Sequence, residues 1–213
     1  METNKIIALE DIANRSLKIR AAYHKLEQKH HGSIWTVEED ALAFLTDVGL
    51  VGRLVMSHEG RWPLTGNEKG ELKHKLGEAF WWIIVLTHRC NMNFNDAITT
   101  FFEIDIKTLN EVERASQDIR ESYHDAERAF HEIIWSIEED ALAFLTDAGL
   151  IGRNIMSLQG RWPKENTSSE LLHKLGECIW WITVLALRSK LDIKECIADF
   201  IYRTEVRLLI NKR

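Results

Sequence analysis

Proline is almost absent from this sequence. Its two prolines, Pro63 and Pro163, each end the same Gly-Arg-Trp-Pro segment. Long stretches without proline leave helices uninterrupted, so the scarcity favours an all-α fold. Cysteine is scarce too. The three residues Cys90, Cys178 and Cys196 are an odd number without metal-type spacing. They predict reduced thiols and argue against a disulfide framework.

Long apolar runs and a basic excess are also missing. The longest apolar stretch, residues 178–187, is far shorter than the ~20 residues that a membrane helix requires. The N-terminal residues lack the basic-then-apolar layout of a signal peptide. The net charge is −6, with 27 Lys and Arg against 33 Asp and Glu, which argues against a broad nucleic-acid surface. We therefore expect a cytoplasmic protein without a membrane or nucleic-acid partner.

What the chain does contain is a duplication. Residues 34–63 recur as 134–163 at an offset of 100, and residues 71–86 recur as 170–185 at an offset of 99. Solenoids use several repeats of roughly 20–50 residues, so one long repeat instead predicts two subunit-like units. We divide the chain into a first repeat, 1–106, and a second, 107–213. We expect them to pack as an intramolecular pseudo-dimer, and the chain to be a monomer or a further homodimer.

The first two helices of each repeat are predicted from periodicity and capping. Apolar residues at helical spacing predict the first helix over 5–29. Thr36 and Ser136 each precede a glutamate by three residues, which is the capping-box pattern at a helix start. The three acids that follow, 38–40, are explained by capping and by the helix dipole. The second helix is predicted to end near Ser57.

The third helix, predicted over 71–90, is apolar nearly all round and should be deeply buried. The fourth is predicted to begin after Asn95 in the first repeat and after Asp192 in the second. No proline or glycine occurs between residues 96 and 132. We therefore expect the fourth helix of the first repeat to run almost directly into the first helix of the second.

Glycines occur inside the predicted helices of both repeats, where each costs ~1 kcal/mol relative to alanine. The repeated positions are Gly49, Gly52 and Gly77 with Gly149, Gly152 and Gly176. Their presence in both copies predicts close approach between helices. The polar residues kept in both repeats predict two equivalent pockets, one per repeat.

Two short motifs recur in both copies and lie on different predicted helices. The first is Thr46-Asp47-Val48-Gly49-Leu50-Val51, and the second is Lys75-Leu76-Gly77-Glu78-Ala79-Phe80-Trp81-Trp82. Their order and spacing resemble the MazG-like all-α nucleotide pyrophosphohydrolases, in which E-E-x-x-E on one helix is followed by E-x-x-D leading into an apolar helix. The resemblance covers about 35–102 and the matching part of the second repeat. It implies a MazG-like helical bundle in two tandem copies.

The resemblance also implies an activity, the hydrolysis of an NTP-type substrate to a monophosphate and pyrophosphate. In the family, carboxylates on facing helices hold Mg²⁺ (or Mn²⁺), which grips the phosphates and activates water. Carried over residue by residue, the motif positions fall on Thr46, Asp47, Leu50, Lys75 and Glu78. Two of the five acids remain in each repeat. The implied metal ligands and catalytic residues are Asp47, Glu78, Asp147 and Glu177.

Cations near these acids are candidates for binding substrate phosphates, because Lys and Arg can take over part of a metal's role at phosphate oxygens. The candidate substrate-binding residues are Arg53, Arg61, Trp62 and Lys75 with Arg153, Arg161, Trp162 and Lys174. Trp62 lies in a predicted loop, where its ring could stack on a nucleobase or cover the end of the bundle. We favour the cover.

A second polar set suggests other chemistry. His24 and Glu27 share one helix face, as do His74 and Glu78. With Asp47 they could converge, and the second repeat offers His124, Glu127 and His173 likewise. The set fits a polar seam between helices, a Zn²⁺, Mn²⁺ or Fe²⁺ site, or a modified nucleotide site.

Three functions follow from these patterns. The first is a divergent pyrophosphohydrolase. The second is a module that keeps the MazG-like pocket without its chemistry and binds a nucleotide or a protein. The third is a His/carboxylate metalloprotein.

Overall fold

The computed structural model describes residues 7–208, apart from the side chain of Glu68. All regular structure in this range is helical, as predicted. The helices are α1 (Leu9–His31), α2 (Val37–His58), α3 (Glu68–Arg89), α4 (Phe94–Phe102), α5 (Leu109–His131), α6 (Ile137–Leu158), α7 (Thr167–Arg188) and α8 (Ile193–Arg207). The first helix was predicted from residue 5, but residues 5 and 6 lie outside the described range.

The helix starts follow local sequence signals. Thr36 and Ser136 each form a complete capping box, which confirms the predicted starts of α2 and α6. The starts of α1 and α5 are held together by a single antiparallel bridge between Ala8 and Thr108. The two repeats therefore meet at equivalent points of their sequences.

Several boundaries were predicted wrongly. Helix α3 starts at Glu68 instead of residue 71, and α4 starts at Phe94, capped by Asn93, instead of after Asn95. The largest error lies after α4. Helix α4 ends at Phe102, and Glu103 adopts a left-handed conformation with φ 58°. Helix α5 starts only at Leu109, where Thr108 and Glu111 form a third capping box. A capping box satisfies the free N–H groups of a new helix start, so it separates two helices even where no proline or glycine intervenes.

The repeats exchange their fourth helices. Helix α4 packs against α7 of the second repeat, and α8 packs against α3 of the first. Helices α2 and α6 also pack on each other, as do α3 and α7. The buried apolar residues form one cluster that draws on both repeats. Each repeat therefore covers part of the other's core.

Glycine permits the closest of these contacts. A Cβ on Gly77 would lie 2.2 Å from the carbonyl oxygen of Cys196 in α8, and a Cβ on Gly176 would lie 2.2 Å from that of Ala97 in α4. Gly52 faces Leu145 across the α2–α6 contact in the same way. Close approach is thus confirmed at these positions. It is wrong for Gly49, where a Cβ would meet no atom within 4 Å.

Helix α2 is the one helix of the described range that is long and apolar enough to cross a membrane. Only its length and its composition indicate this, and 39% of its most apolar 18-residue segment is buried inside the chain. Its buried face packs on α3 and α6. A helix in a protein core can have the same length and composition, so the packing of α2 accounts for its apolar residues.

The three cysteines are free thiols, as predicted. Burial raises the pKa of Cys90 to about 11 and that of Cys196 to about 12. It also raises the pKa of Cys178 well above its ordinary value. Because the thiolate is the reactive form, these side chains act as small core residues.

Candidate functional site

A lysine joins the two motifs that the repeat preserves. In the first repeat, Nζ of Lys75 lies 2.6 Å from Oδ1 of Asp47 on α2 and 2.5 Å from Oε2 of Glu78 on its own helix. The second oxygen of Asp47 accepts a hydrogen bond of 2.9 Å from the indole N–H of Trp82. Both carboxylates are thus held by side chains of α3.

The second repeat builds the same cluster. Nζ of Lys174 lies 2.7 Å from Oδ1 of Asp147 and is also paired with Glu177. The indole N–H of Trp181 donates to the other oxygen of Asp147 at 2.8 Å. The resemblance implied that these acids lie on facing helices, but it did not imply that the lysine lies between them.

The lysines in these clusters are charged. Burial by itself would lower the pKa of Lys75, but hydrogen bonds to Asp47 and Glu78 outweigh burial and raise that pKa. The same contributions raise the pKa of Lys174. Each ammonium therefore provides a fixed positive charge between two carboxylates.

These residues do not fit a bound Mg²⁺ or Mn²⁺. Hard divalent cations require several oxygen ligands that are free to coordinate. Here the ammonium of Lys75 occupies the space between Asp47 and Glu78, and Trp82 takes the remaining oxygen of Asp47. Across residues 7–208, no group of three or more His, Cys, Asp or Glu side chains is placed to hold a metal ion.

An aromatic cleft of about 510 Å³ adjoins the first cluster, and we call it cleft one. Its lining is Arg20, Tyr23, Leu26, Glu27, His30, His31, Trp35, Glu78, Trp81 and Trp82. The rings of Trp81 and Trp82 are 4.5 Å apart, and Tyr23 lies 5.9 Å from Trp81. Glu78 belongs to both features, so the cleft and the lysine cluster form one continuous site.

The second repeat carries residues equivalent to the lining of cleft one. They are Arg120, Tyr123, Ala126, Glu127, Phe130, His131, Trp135, Glu177, Trp180 and Trp181. The aromatic arrangement is retained. The ring centroids of Tyr123 and Trp180 are 5.4 Å apart, and those of Trp180 and Trp181 are 4.2 Å apart.

A buried ion network forms one wall of cleft one, and the sequence did not reveal it. Arg20 binds Glu27 at 2.5 Å and Asp40 of α2 at 2.5 Å, and Arg89 of α3 lies 2.9 Å from Asp40. Asp40 is 0% exposed, so explaining it only by capping and the helix dipole was wrong. The signal that could have found the network is that Arg20 and Asp40 recur as Arg120 and Asp140.

The pKa values of the acids in this network shift in opposite directions. Burial raises the pKa of Asp40 to about 6 despite the nearby Arg20 and Arg89, and it raises the pKa of Asp140. Burial would also raise the pKa of Glu27, but hydrogen bonds from Arg20 and from the backbone N–H of Trp35 lower it overall. Glu27 therefore binds an arginine and orders the α1–α2 connection. Glu127 does the same with Arg120 and the backbone N–H of Trp135.

In the described residues the histidines and acids do not come together as a group that could hold a metal ion, so that part of the prediction is wrong. The ring of His74 packs 5.3 Å from Phe200 of α8, and that of His173 packs 5.5 Å from Phe101 of α4. Burial lowers the pKa values of His24, His74 and His124. Of the predicted His–Glu pairs, His173 and Glu177 are 3.9 Å apart.

Of the residues predicted to bind substrate phosphates, Lys75 and Lys174 belong to the lysine clusters and the arginines do not. Arg53 stacks 3.9 Å from the Trp62 ring and donates to the Trp62 carbonyl oxygen at 2.6 Å, and Arg153 and Trp162 repeat this stack. Arg53 and Lys75 line a separate cavity of about 470 Å³.

The loop that follows α2 reaches toward the second repeat. Arg61 is 73% exposed and lies 3.7 Å from Glu138 of α6. Trp62 is 59% exposed, and its ring covers the guanidinium of Arg53 on α2. For Arg161 the described part of the chain gives no ion pair.

Comparisons with protein-family models, with curated proteins and with solved structures find no match. The function is therefore argued from the geometry of the two sites.

Proposed function

We propose that this protein binds nucleotides without a divalent metal, on a MazG-like scaffold whose two repeats take the places of the two subunits of a dimer. One observation carries the proposal. In both repeats, a lysine ammonium bridges the two carboxylates that the sequence motifs suggest as metal ligands. An internal cation thus stands where the resemblance implies an external one.

The cleft supports a flat heteroaromatic ligand. Tyr23 and Trp35, which are partly exposed, offer ring faces on which a nucleobase can stack, and the buried rings of Trp81 and Trp82 also line the cleft. Glu78 uses Oε2 for Lys75, and its Oε1 is a hydrogen-bond acceptor for an N–H group of a base edge. A volume of about 510 Å³ lies in the range typical of small-molecule sites.

Binding is better supported than hydrolysis. Attack by water on a phosphoanhydride needs an activated nucleophile and stabilisation of the developing charge. Asp47 and Glu78 are each committed to Lys75, and Asp47 also to Trp82, so neither is free to coordinate a metal that activates water. The lysine balances the charge of the acids and preserves the shape of the site without the family's chemistry.

The MazG-like scaffold is supported by helix order and by the exchange of helices. Each repeat has four helices with the two motifs on the second and third. The contacts of α4 with α7 and of α8 with α3 are reciprocal, as they would be between two subunits related by a two-fold axis.

Calorimetric titration with nucleotides and nucleosides in the presence of EDTA tests the proposal. We expect binding that is unchanged when Mg²⁺ or Mn²⁺ replaces EDTA. Changing Trp35→Ala together with Trp135→Ala should lower the affinity about tenfold or more, because one stacked ring contributes ~1–3 kcal/mol. The matched control is Trp62→Ala with Trp162→Ala, which removes two exposed tryptophans that belong neither to cleft one nor to its equivalent residues. Metal-dependent release of pyrophosphate by the unmodified protein would overturn the proposal in favour of the enzyme.

A further inference from the structure

A second cavity of the first repeat, of about 470 Å³, lies between α2, α3 and the loop that joins them, and we call it the leucine cavity. Its apolar lining is provided by Leu50, Leu54 and Leu64. Its charged lining consists of Arg53, Glu71, Lys75 and Arg203. It shares no lining residue with cleft one, and its volume is typical of small-molecule sites.

Two of the three cations at this cavity already have carboxylate partners. Lys75 lies between two carboxylates, and Nε of Arg203 lies 2.9 Å from Oδ1 of Asp199. Arg53 has no carboxylate partner among the described residues, because it donates to the carbonyl oxygen of Trp62 and stacks on that ring. A guanidinium carries five N–H donors, so Arg53 keeps donors for an anion.

The one acid that lines the cavity also lacks a partner. Across residues 7–208, the carboxylate of Glu71 forms no hydrogen bond or ion pair, and it does not pair with Arg53. The cavity therefore contains one free anion and one free cation beside an apolar wall.

The second repeat shows what the carboxylate at this position binds. Glu170, the counterpart of Glu71, accepts a hydrogen bond from the ammonium of Lys164. Asn154 of α6 lies 3.4 Å from its other oxygen, and Leu54 is the counterpart of that asparagine. The first repeat thus keeps the carboxylate but places apolar residues around it.

The lysine has a leucine as its structural counterpart. The backbone N–H of Leu64 donates to the hydroxyl of Ser57 at 3.0 Å, and that of Lys164 donates to the hydroxyl of Ser157 at 2.9 Å. Leu64 therefore occupies the position from which the second repeat supplies an ammonium to its carboxylate. In the first repeat that ammonium has to come from outside the chain.

We propose that the leucine cavity binds an aliphatic α-amino acid as its zwitterion. The ammonium of the ligand binds Glu71 as Lys164 binds Glu170, and its carboxylate binds the free N–H groups of Arg53. Its side chain packs on the three leucines. This site is independent of the nucleotide proposed for cleft one.

Calorimetric titration of the full chain with L-leucine tests this inference, and we expect one leucine per chain. Isoamylamine lacks the carboxylate and 4-methylpentanoate lacks the ammonium, so each should bind about tenfold or more weakly than leucine. L-Alanine should also bind about tenfold or more weakly, because its side chain offers fewer apolar carbons to the cavity.

Two variants separate the two ends of the ligand. Glu71→Gln should weaken leucine and isoamylamine about tenfold or more and leave 4-methylpentanoate unchanged. Arg53→Gln should weaken leucine and 4-methylpentanoate and leave isoamylamine unchanged. The matched control is Glu170→Gln, which removes the equivalent carboxylate outside the cavity and should keep leucine affinity within about twofold.

Installing the residues of the second repeat should close the site from inside. Leu54→Asn with Leu64→Lys supplies an internal ammonium to Glu71, so leucine binding should be lost while circular dichroism shows unchanged helix content. Absence of leucine binding by the unmodified protein at millimolar concentrations, isoamylamine binding as tight as that of leucine, or an unchanged affinity in Glu71→Gln would each overturn the inference. None of these results bears on nucleotide binding at cleft one, which is titrated separately.

Discussion

The carbonyl oxygen of Cys196 lies 2.2 Å from the position that a Cβ on Gly77 would occupy. The Cβ of Phe200 would lie 2.9 Å away. Both neighbours belong to the backbone or the first side-chain atom of α8, so neither can move without moving the helix. Gly77 thus fixes how closely the fourth helix of the second repeat approaches the third helix of the first.

Gly77→Ala should therefore destabilise the protein by about 3 kcal/mol, because overpacking against a rigid helix forces a backbone shift. Gly176→Ala should cost a similar amount through the carbonyl oxygen of Ala97. Urea unfolding followed by circular dichroism measures both.

The control is Gly49→Ala with Gly149→Ala, since a Cβ at either position meets no atom within 4 Å. Each change should increase the free energy of unfolding by up to about 1 kcal/mol through helix propensity alone. Equal losses at Gly77 and Gly49 would mean that the close contact with α8 does not determine the cost.

Removing the internal cation should create a metal site. Lys75→Glu would place a third carboxylate beside Asp47 and Glu78 and remove the competing ammonium. We expect this variant to bind Mn²⁺ at millimolar concentrations or below, and the unmodified protein not to, as measured by electron paramagnetic resonance of free Mn²⁺.

Lys73→Glu is a matched control for that change. It makes the same charge reversal on the same helix, at a lysine that pairs with Glu195 of α8 instead of with the cluster. Mn²⁺ binding by both variants would show that the effect is one of general charge.

The pH dependence of stability should reveal Asp40. Its pKa in the folded chain, about 6, lies above the ordinary value of 3.8. The stabilising contribution of its protonation is therefore fully present below about pH 3.8 and is lost as the pH rises through about 6. Asp40→Asn cannot titrate, so the difference in free energy of unfolding between wild type and variant should change by about 2–3 kcal/mol over that window.

Urea titrations of both proteins between pH 4 and pH 7 provide the measurement. Asp140→Asn should show the same sign, since the pKa of Asp140 is also raised. Parallel pH profiles of the free energy of unfolding for wild type and variant would contradict a raised pKa of Asp40. The contribution of Glu27, whose pKa is lowered, is present in both proteins and largely cancels.

The exposed Arg53–Trp62 stack should contribute little to stability. Trp62→Ala is expected to lower the free energy of unfolding by about 1 kcal/mol or less, because an exposed cation–π contact is worth ~0.5–1 kcal/mol. Trp81→Ala should cost about 3–5 kcal/mol, because the ring is buried among Tyr23, Trp82 and Phe200. Thermal unfolding of the two variants gives the comparison.

Local features were predictable from the sequence because their causes are local. The capping residues Thr36 and Ser136 determine where α2 and α6 begin, and the all-round apolar pattern of the third helices predicts their burial. The acids and lysine of the site were also found, because they recur in both repeats and occupy the motif positions that the resemblance to the MazG-like family implies.

Features that depend on tertiary packing were not predictable in this way. Whether Lys75 points at Asp47, and whether Asp40 faces a buried arginine or solvent, depends on how helices rotate against one another. The break after Phe102 depended on a capping box at Thr108 that periodicity does not register. The exchange of α4 and α8 is a choice of partner between nearly identical repeats.

That exchange has a consequence for synthesis on the ribosome. Helix α3 packs against α8, which is translated only after α4, α5, α6 and α7. Until Ile193–Arg207 has left the exit tunnel, the apolar face of α3 around Gly77 lacks its native cover. The first repeat therefore cannot complete its core until the last helix of the second repeat has been translated.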